Sequence, residues 1–165
     1  MLNPNCSELV IRLPSDMSRE EILEELKKIG IYEVDIKNWW SWGGSEEDRK
    51  FEGYLFDKDN PNSPDYEYHA YIELRDGRPY GINGYIISAS QHCQHQLFPT
   101  LRKIEKHFNT EVESYDGGST TPYEDWISQG EPKIDNYNEA HKAKRIKLLL
   151  ELGLITELEA TYELL

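Results

Sequence analysis

Residues 66–75 alternate without a break, with Tyr66, Tyr68, Ala70, Ile72 and Leu74 on one side and Glu67, His69, Tyr71, Glu73 and Arg75 on the other. A period of two sustained over ten residues describes a strand with one buried face, and such a strand needs antiparallel neighbours to satisfy its backbone. Asp76-Gly77 follows as a hairpin signal. Residues 80–87 are then expected to return alongside, weakened or bulged by Gly81 and Gly84.

Other segments repeat the pattern. Leu9, Ile11 and Leu13 alternate in a short first strand. Tyr32, Val34 and Ile36 alternate with Glu33, Asp35 and Lys37, which predicts a half-buried strand with a charged outer face. Residues 51–56 and 110–115 read as further strands. The stretch 57–65, rich in Asp, Asn and Pro, reads as a loop.

Helices are announced by their ends. Ser18-Arg19-Glu20-Glu21 is a capping box, Met17 stands where a hydrophobic staple to Ile22 belongs, and Ile22, Leu23, Leu26 and Ile29 supply an apolar stripe that Gly30 terminates. Leu97, Leu101, Ile104 and Phe108 mark a second helix. Pro99 implies a start near Leu97 or a kink, because an interior proline removes a hydrogen bond and clashes with the preceding turn. Thr121-Pro122-Tyr123-Glu124 reads as the cap of a short helix. Ala140, Ala143, Ile146 and Leu150 mark a helix ending at Gly153, and Thr156-Glu157-Leu158-Glu159 caps a last one.

This order predicts an α+β fold: an antiparallel sheet of about five strands with two helices packed on one face in a ferredoxin-like order, plus a C-terminal α-hairpin. The expected division is an α+β domain over residues 1–130 and a helical hairpin over 131–165 packed on the same domain.

Charge narrows the function. The chain carries 31 acidic and 18 basic residues, a net charge of −13 over 165 residues. The excess is spread: residues 1–60 hold 14 acids and 8 bases, 61–120 hold 8 and 5, and 121–165 hold 9 and 5. Phosphate-backbone binding needs clustered Lys and Arg, so direct nucleic-acid binding is not expected. Cys6 and Cys93, the two cysteines, suit free thiols in a reducing compartment. With no signal-peptide pattern and no apolar run of membrane-spanning length, a cytoplasmic protein without membrane contact is expected.

Motifs for chemistry are sparse. His92 and His95, with Cys93 between them, could share a helix face as a metal pair, but no second such pair closes a zinc site. Cys93 is poorly placed to use a neighbouring histidine as a base, since adjacent helical residues point about 100° apart. The loop opening Asp57-Lys58-Asp59-Asn60 has Asn62 where a calcium loop demands glycine and Tyr68 where it demands glutamate. Glu111, Glu113 and Asp116 form an acidic strand without a nearby base. No cofactor is expected.

Trp39, Trp40 and Trp42 fall within four positions. Counting by twos from Ile36 places Trp40 and Trp42 on the buried face and Trp39 outside with Glu33 and Asp35. An exposed indole among acids is an interface anchor. The expectation is a small acidic protein-binding module, of the inhibitor or immunity-protein kind, that occludes a basic nucleic-acid-handling partner. Its anchors would be Trp39, Glu33 and Asp35, with Asp57, Asp59 and Asp65 as steering charges. The alternative is a small enzyme or metal- or ligand-binding domain using His92 and His95, the acidic strand face, or a sheet face bearing His69 and Tyr71.

Overall fold

A computed structural model describes residues 8–34, 53–60, 72–90, 94–116, 119–122 and 139–159. Among these residues seven strands form one sheet: β1 (Glu8–Arg12), β2 (Ile31–Glu33), β3 (Tyr54–Asp57), β4 (Ile72–Asp76), β5 (Tyr85–Ser90), β6 (Val112–Asp116) and β7 (Ser119–Pro122). Their order is β2-β3-β4-β5-β1-β6-β7, and every neighbouring pair is antiparallel. The described residues also form the α-helices α1 (Arg19–Lys28), α2 (Gln94–Phe108) and α3 (Glu139–Glu151). The α+β class is as the sequence predicts, with seven strands in place of about five.

Helix α1 forms for the local reasons its sequence states. The Ser18 hydroxyl accepts from the Glu21 N–H at 3.1 Å while the Glu21 carboxylate accepts from the Ser18 N–H at 3.3 Å. A cap of this kind is worth about 1 kcal/mol. Gly30 takes φ +80°, stopping the helix and turning the chain into β2.

Both α1 and α2 lie on one face of the sheet. Ile22 and Leu26 of α1, and Leu97, Phe98, Leu101 and Ile104 of α2, share a core with Leu9, Ile11, Leu55, Ile72, Leu74, Ile87, Ala89 and Val112 from the strands. Burying each such side chain contributes about 1.5–3 kcal/mol, so this layer is the main source of stability. Helix α3 sits on the opposite face near the β2 edge, where Leu148 packs with Val34 and Phe56. The start of a following helix is present at residues 157–159. There the Thr156 hydroxyl accepts from the Glu159 N–H at 3.2 Å.

Several expectations are corrected. The connection after β4 is not a tight Asp-Gly hairpin: Arg78–Tyr80 form a 3-10 turn, Gly77 N–H bonds the Gly84 carbonyl at 2.8 Å, and the return begins only at Tyr85. Pro79 presets the 3-10 turn and so lengthens the loop. Helix α2 starts three residues before Leu97, with Pro99 inside it on the exposed side. Thr121 and Pro122 belong to β7, paired with Ser114 and Glu113, rather than to a helix cap. Proline is tolerated at such a site because β7 is the last strand of the described sheet.

The charged face of β2 is not an outer face. Ile31 packs under α1 and α2 while Val34 packs under α3, so this edge is covered on both sides. Glu33 is consequently half-buried.

Candidate functional site

Asp57, expected as a steering charge, is 1% exposed. One of its oxygens accepts from the Thr100 hydroxyl at 2.6 Å, and the other accepts from Lys103 Nζ at 2.7 Å and the Asp59 N–H at 3.0 Å. Asn60 Nδ2 donates to Thr100 Oγ1 at 2.9 Å and completes the cluster. β3 delivers this carboxylate to the α2 side because Asp57 follows Leu55 by two, and Leu55 faces the main core. The group is neutralised internally and cannot steer a partner.

Glu33 is likewise committed. Its carboxylate pairs with Arg19 at the start of α1 and accepts from the Gly53 N–H at 3.0 Å. Asp59 keeps an exposed side chain but is shared between Lys58 at 2.8 Å and Lys103 at 3.2 Å. The bond from Lys58 lowers its pKa, Lys103 adds to that, and partial burial opposes both. Trp39, Asp35 and Asp65 lie outside the described residues, as do His92, Cys93, His69 and Tyr71. His95 falls in the first turn of α2. Among the described residues no group of three or more His, Cys, Asp or Glu is placed to hold a metal ion. Glu113 of the acidic strand is paired with Arg12 at 2.7 Å.

On the face opposite α1 and α2, a polar chain crosses β4, β5 and β1. Arg75 Nη1 donates to Tyr80 Oη at 2.8 Å; Tyr80 Oη and Ser88 Oγ in turn donate to one oxygen of Glu8, at 2.7 and 2.6 Å. Tyr80 also meets the Tyr115 ring edge-on, with centroids 4.8 Å apart. Burial, reinforced by the bond to Glu8, pushes the Tyr80 hydroxyl up to about 12. It therefore stays a neutral donor. This chain fastens the residue 77–84 loop to β1, with Ile82 packed on Val10 and Ile86.

Glu73, on β4 beside this chain, is raised in pKa chiefly by burial; Arg75 at 4.0 Å opposes the rise and Glu8 adds to it. A carboxyl whose folded pKa lies above its unfolded value binds more protons when folded, so its contribution to stability falls as pH rises between those values. Glu73→Gln is expected to raise the urea midpoint slightly at neutral pH, with the gain vanishing in acid. Asp59 has the opposite sign: its stabilising contribution is full above its unfolded pKa and is lost as pH falls through the folded one. Urea titrations of wild type, Glu73→Gln and Asp59→Asn from pH 3 to 8 separate the two trends.

The solvent side of α1 has a different character. Glu20, Glu21 and Glu24 are exposed, and a groove of about 380 Å³ is lined by Met17, Glu20, Glu21, Glu24, Glu25 and Lys28. Lys27 and Lys28, in the last turn, pair with Glu24 and Glu25. The bond from Lys28 holds the Glu25 carboxyl below its usual value. Glu20 and Glu21, at the other end, sit where the positive pole of the helix stabilises them. A half-buried methionine among carboxylates offers apolar contact to an alkyl stem and charge to its cationic head.

No protein-family model, no curated protein and no solved structure matches this chain. The functional reading therefore rests on its own geometry. This groove is not among the sequence expectations, because the apolar stripe of α1 marks only its buried side. The signal was present: Glu20 and Glu24 are spaced i,i+4 on the side away from Ile22 and Leu26.

Proposed function

We propose that this chain is an acidic protein-binding module that receives a basic partner on the solvent side of α1. The groove around Met17, walled by Glu20, Glu21, Glu24 and Glu25, carries the reading. It joins apolar floor and anionic rim on a rigid helix, and the chain's charge of −13 supplies the long-range attraction that speeds encounter. The same features suit an inhibitor or immunity-type protein that covers the cationic cleft of a nucleic-acid-handling enzyme in the cytoplasm. No helix among the described residues is long and apolar enough to cross a membrane. In this reading the scaffold is a ferredoxin-like core in the order β6-β1-β5-β4, extended by β2, β3 and β7, and α3 opens a C-terminal α-hairpin.

The test is charge reversal on α1 with Glu20→Lys and Glu24→Lys together. Glu24 gives up an exposed pair with Lys27 and Glu20 its place at the positive end of the helix, so folding stability should fall by about 1–2 kcal/mol at most. Binding of an amphipathic peptide containing lysine but no arginine, followed by calorimetry at low salt, should weaken by about tenfold or more, and wild-type binding should fall as salt rises. Equal affinity of the two chains, or binding indifferent to salt, would overturn the proposal.

A further inference from the structure

Helix α3 is anchored by an unusual contact for so acidic a chain. Arg145 extends its guanidinium over the turn that follows β3, where Nη1 donates to the Asn60 carbonyl at 2.8 Å and Nη2 to the carbonyls of Asp57, at 3.3 Å, and Lys58. The same group lies over the Phe56 ring, 4.8 Å from its centroid. Three carbonyls and an aromatic face converging on one planar cation match what a guanidinium requires: several in-plane acceptors and a surface to stack upon.

Contacts from elements other than α3 also hold the cradle. From the other side of the sheet, the Asp57 carboxylate accepts from Thr100 and Lys103 of α2 and from the Asp59 N–H, and Asn60 Nδ2 donates to Thr100. The Lys58 N–H donates to the Gly30 carbonyl at 3.0 Å. Each residue that offers a carbonyl is therefore also held by α2, by the turn between α1 and β2, or by its own turn. A site organised in this way keeps its acceptors aimed when its occupant leaves.

The helix that fills the cradle rests on a second, smaller apolar cluster. Its apolar seat is a cluster of Val34, Phe56 and Leu148, with Tyr54, Leu149 and Leu152 around it, separate from the main core under α1 and α2. Residues 142–147 also hold Lys142, Lys144, Arg145 and Lys147, four of the chain's 18 basic residues. Helix α3 is thus a basic apolar helix bound in cis to an acidic body.

We infer that the carbonyl cradle of Asp57, Lys58 and Asn60 with the Phe56 ring is a receptor site for an arginine-bearing amphipathic helix of a partner protein, and that α3 is its resident occupant, displaced when the partner docks. Charge complementarity and the guanidinium geometry select this occupant over an acidic or purely apolar segment. The inference shares with the proposed function the cationic nature of the partner but not its site.

The probe is a labelled peptide of residues 139–152, tested against the full chain. The Arg145→Ala chain should bind it about tenfold or more tightly than wild type, because its own cradle is empty, whereas a peptide carrying Arg145→Ala should bind neither chain. Amide exchange of the wild-type chain checks the displacement without a variant: amides at 148–152 should exchange by local opening, well ahead of those in α2. Equal affinity of both chains for the peptide, or exchange of α3 only at the rate of global unfolding, would overturn the inference. So would a concentration-dependent dimer of the wild-type chain that loses the peptide site, since a second copy would then be the occupant. Glu20→Lys with Glu24→Lys should leave this peptide's affinity for Arg145→Ala within about threefold, which separates failure here from failure of the α1 groove.

Discussion

Replacing Asp57 by alanine is expected to destabilise the fold by about 3–5 kcal/mol, against a total of about 5–15 kcal/mol for a domain of ordinary stability. The carboxylate is 1% exposed and accepts three hydrogen bonds, from Thr100, Lys103 and the Asp59 N–H. Truncation leaves the Thr100 hydroxyl and the Asp59 N–H without their acceptor and removes the main counter-ion of Lys103. Lys103 keeps a contact with Asp59 at 3.2 Å and has 26% of its side chain exposed, which places the loss toward the lower end of the range.

Urea unfolding should show this as a fall in midpoint at unchanged slope. Lys103→Met supplies the second edge of a cycle. The double variant should be more stable than the sum of the single losses implies, because removing both charges leaves neither stranded. A loss below about 1 kcal/mol for Asp57→Ala would mean that water replaces the carboxylate, and the turn could not then be the rigid part of the arginine cradle.

Elements with local causes were legible in the sequence. The capping box of α1, its apolar stripe and its stop at Gly30 need no distant residue, and the alternation of Leu9, Ile11 and Leu13 by itself separates the faces of β1. Strand β7 was not legible, although β2 and β3 were. Thr121-Pro122-Tyr123-Glu124 has the same residue order as a helix start, so only pairing with β6 decides for a strand. The role of Asp57 was hidden for a related reason. In sequence, Asp57-Lys58-Asp59-Asn60 reads as a solvated turn. Its burial depends on Thr100 and Lys103, one helical turn apart on α2 and more than 40 residues away. Arg145 is more distant still. In sequence it is one more basic residue beside the stripe of Ala140, Ala143, Ile146 and Leu150, and only the fold brings the three carbonyls to it.

Gly53→Ala is the second large effect, expected at about 3 kcal/mol or more. Gly53 adopts φ +93°, and a Cβ built there lies 2.5 Å from the Leu74 carbonyl oxygen, a backbone atom of a central strand. The chain cannot relax by turning a side chain aside. It has to move residue 53 away from β4, stretching the bond from Leu74 N–H to the Gly53 carbonyl, now 2.7 Å, and the bond from Gly53 N–H to Glu33. Gly81→Ala is the control: φ is +73° there but nothing lies within 4 Å, so it should cost only the conformational term of about 1–2 kcal/mol. The difference between the two variants in urea isolates the close approach from the dihedral. Because Glu33 also holds Arg19 at the start of α1, Gly53→Ala should speed amide exchange in the first turn of that helix, while Gly81→Ala should not. Equal losses, or an unaffected α1, would show that β2 and β3 position the proposed docking helix through the apolar layer alone and not through this polar link.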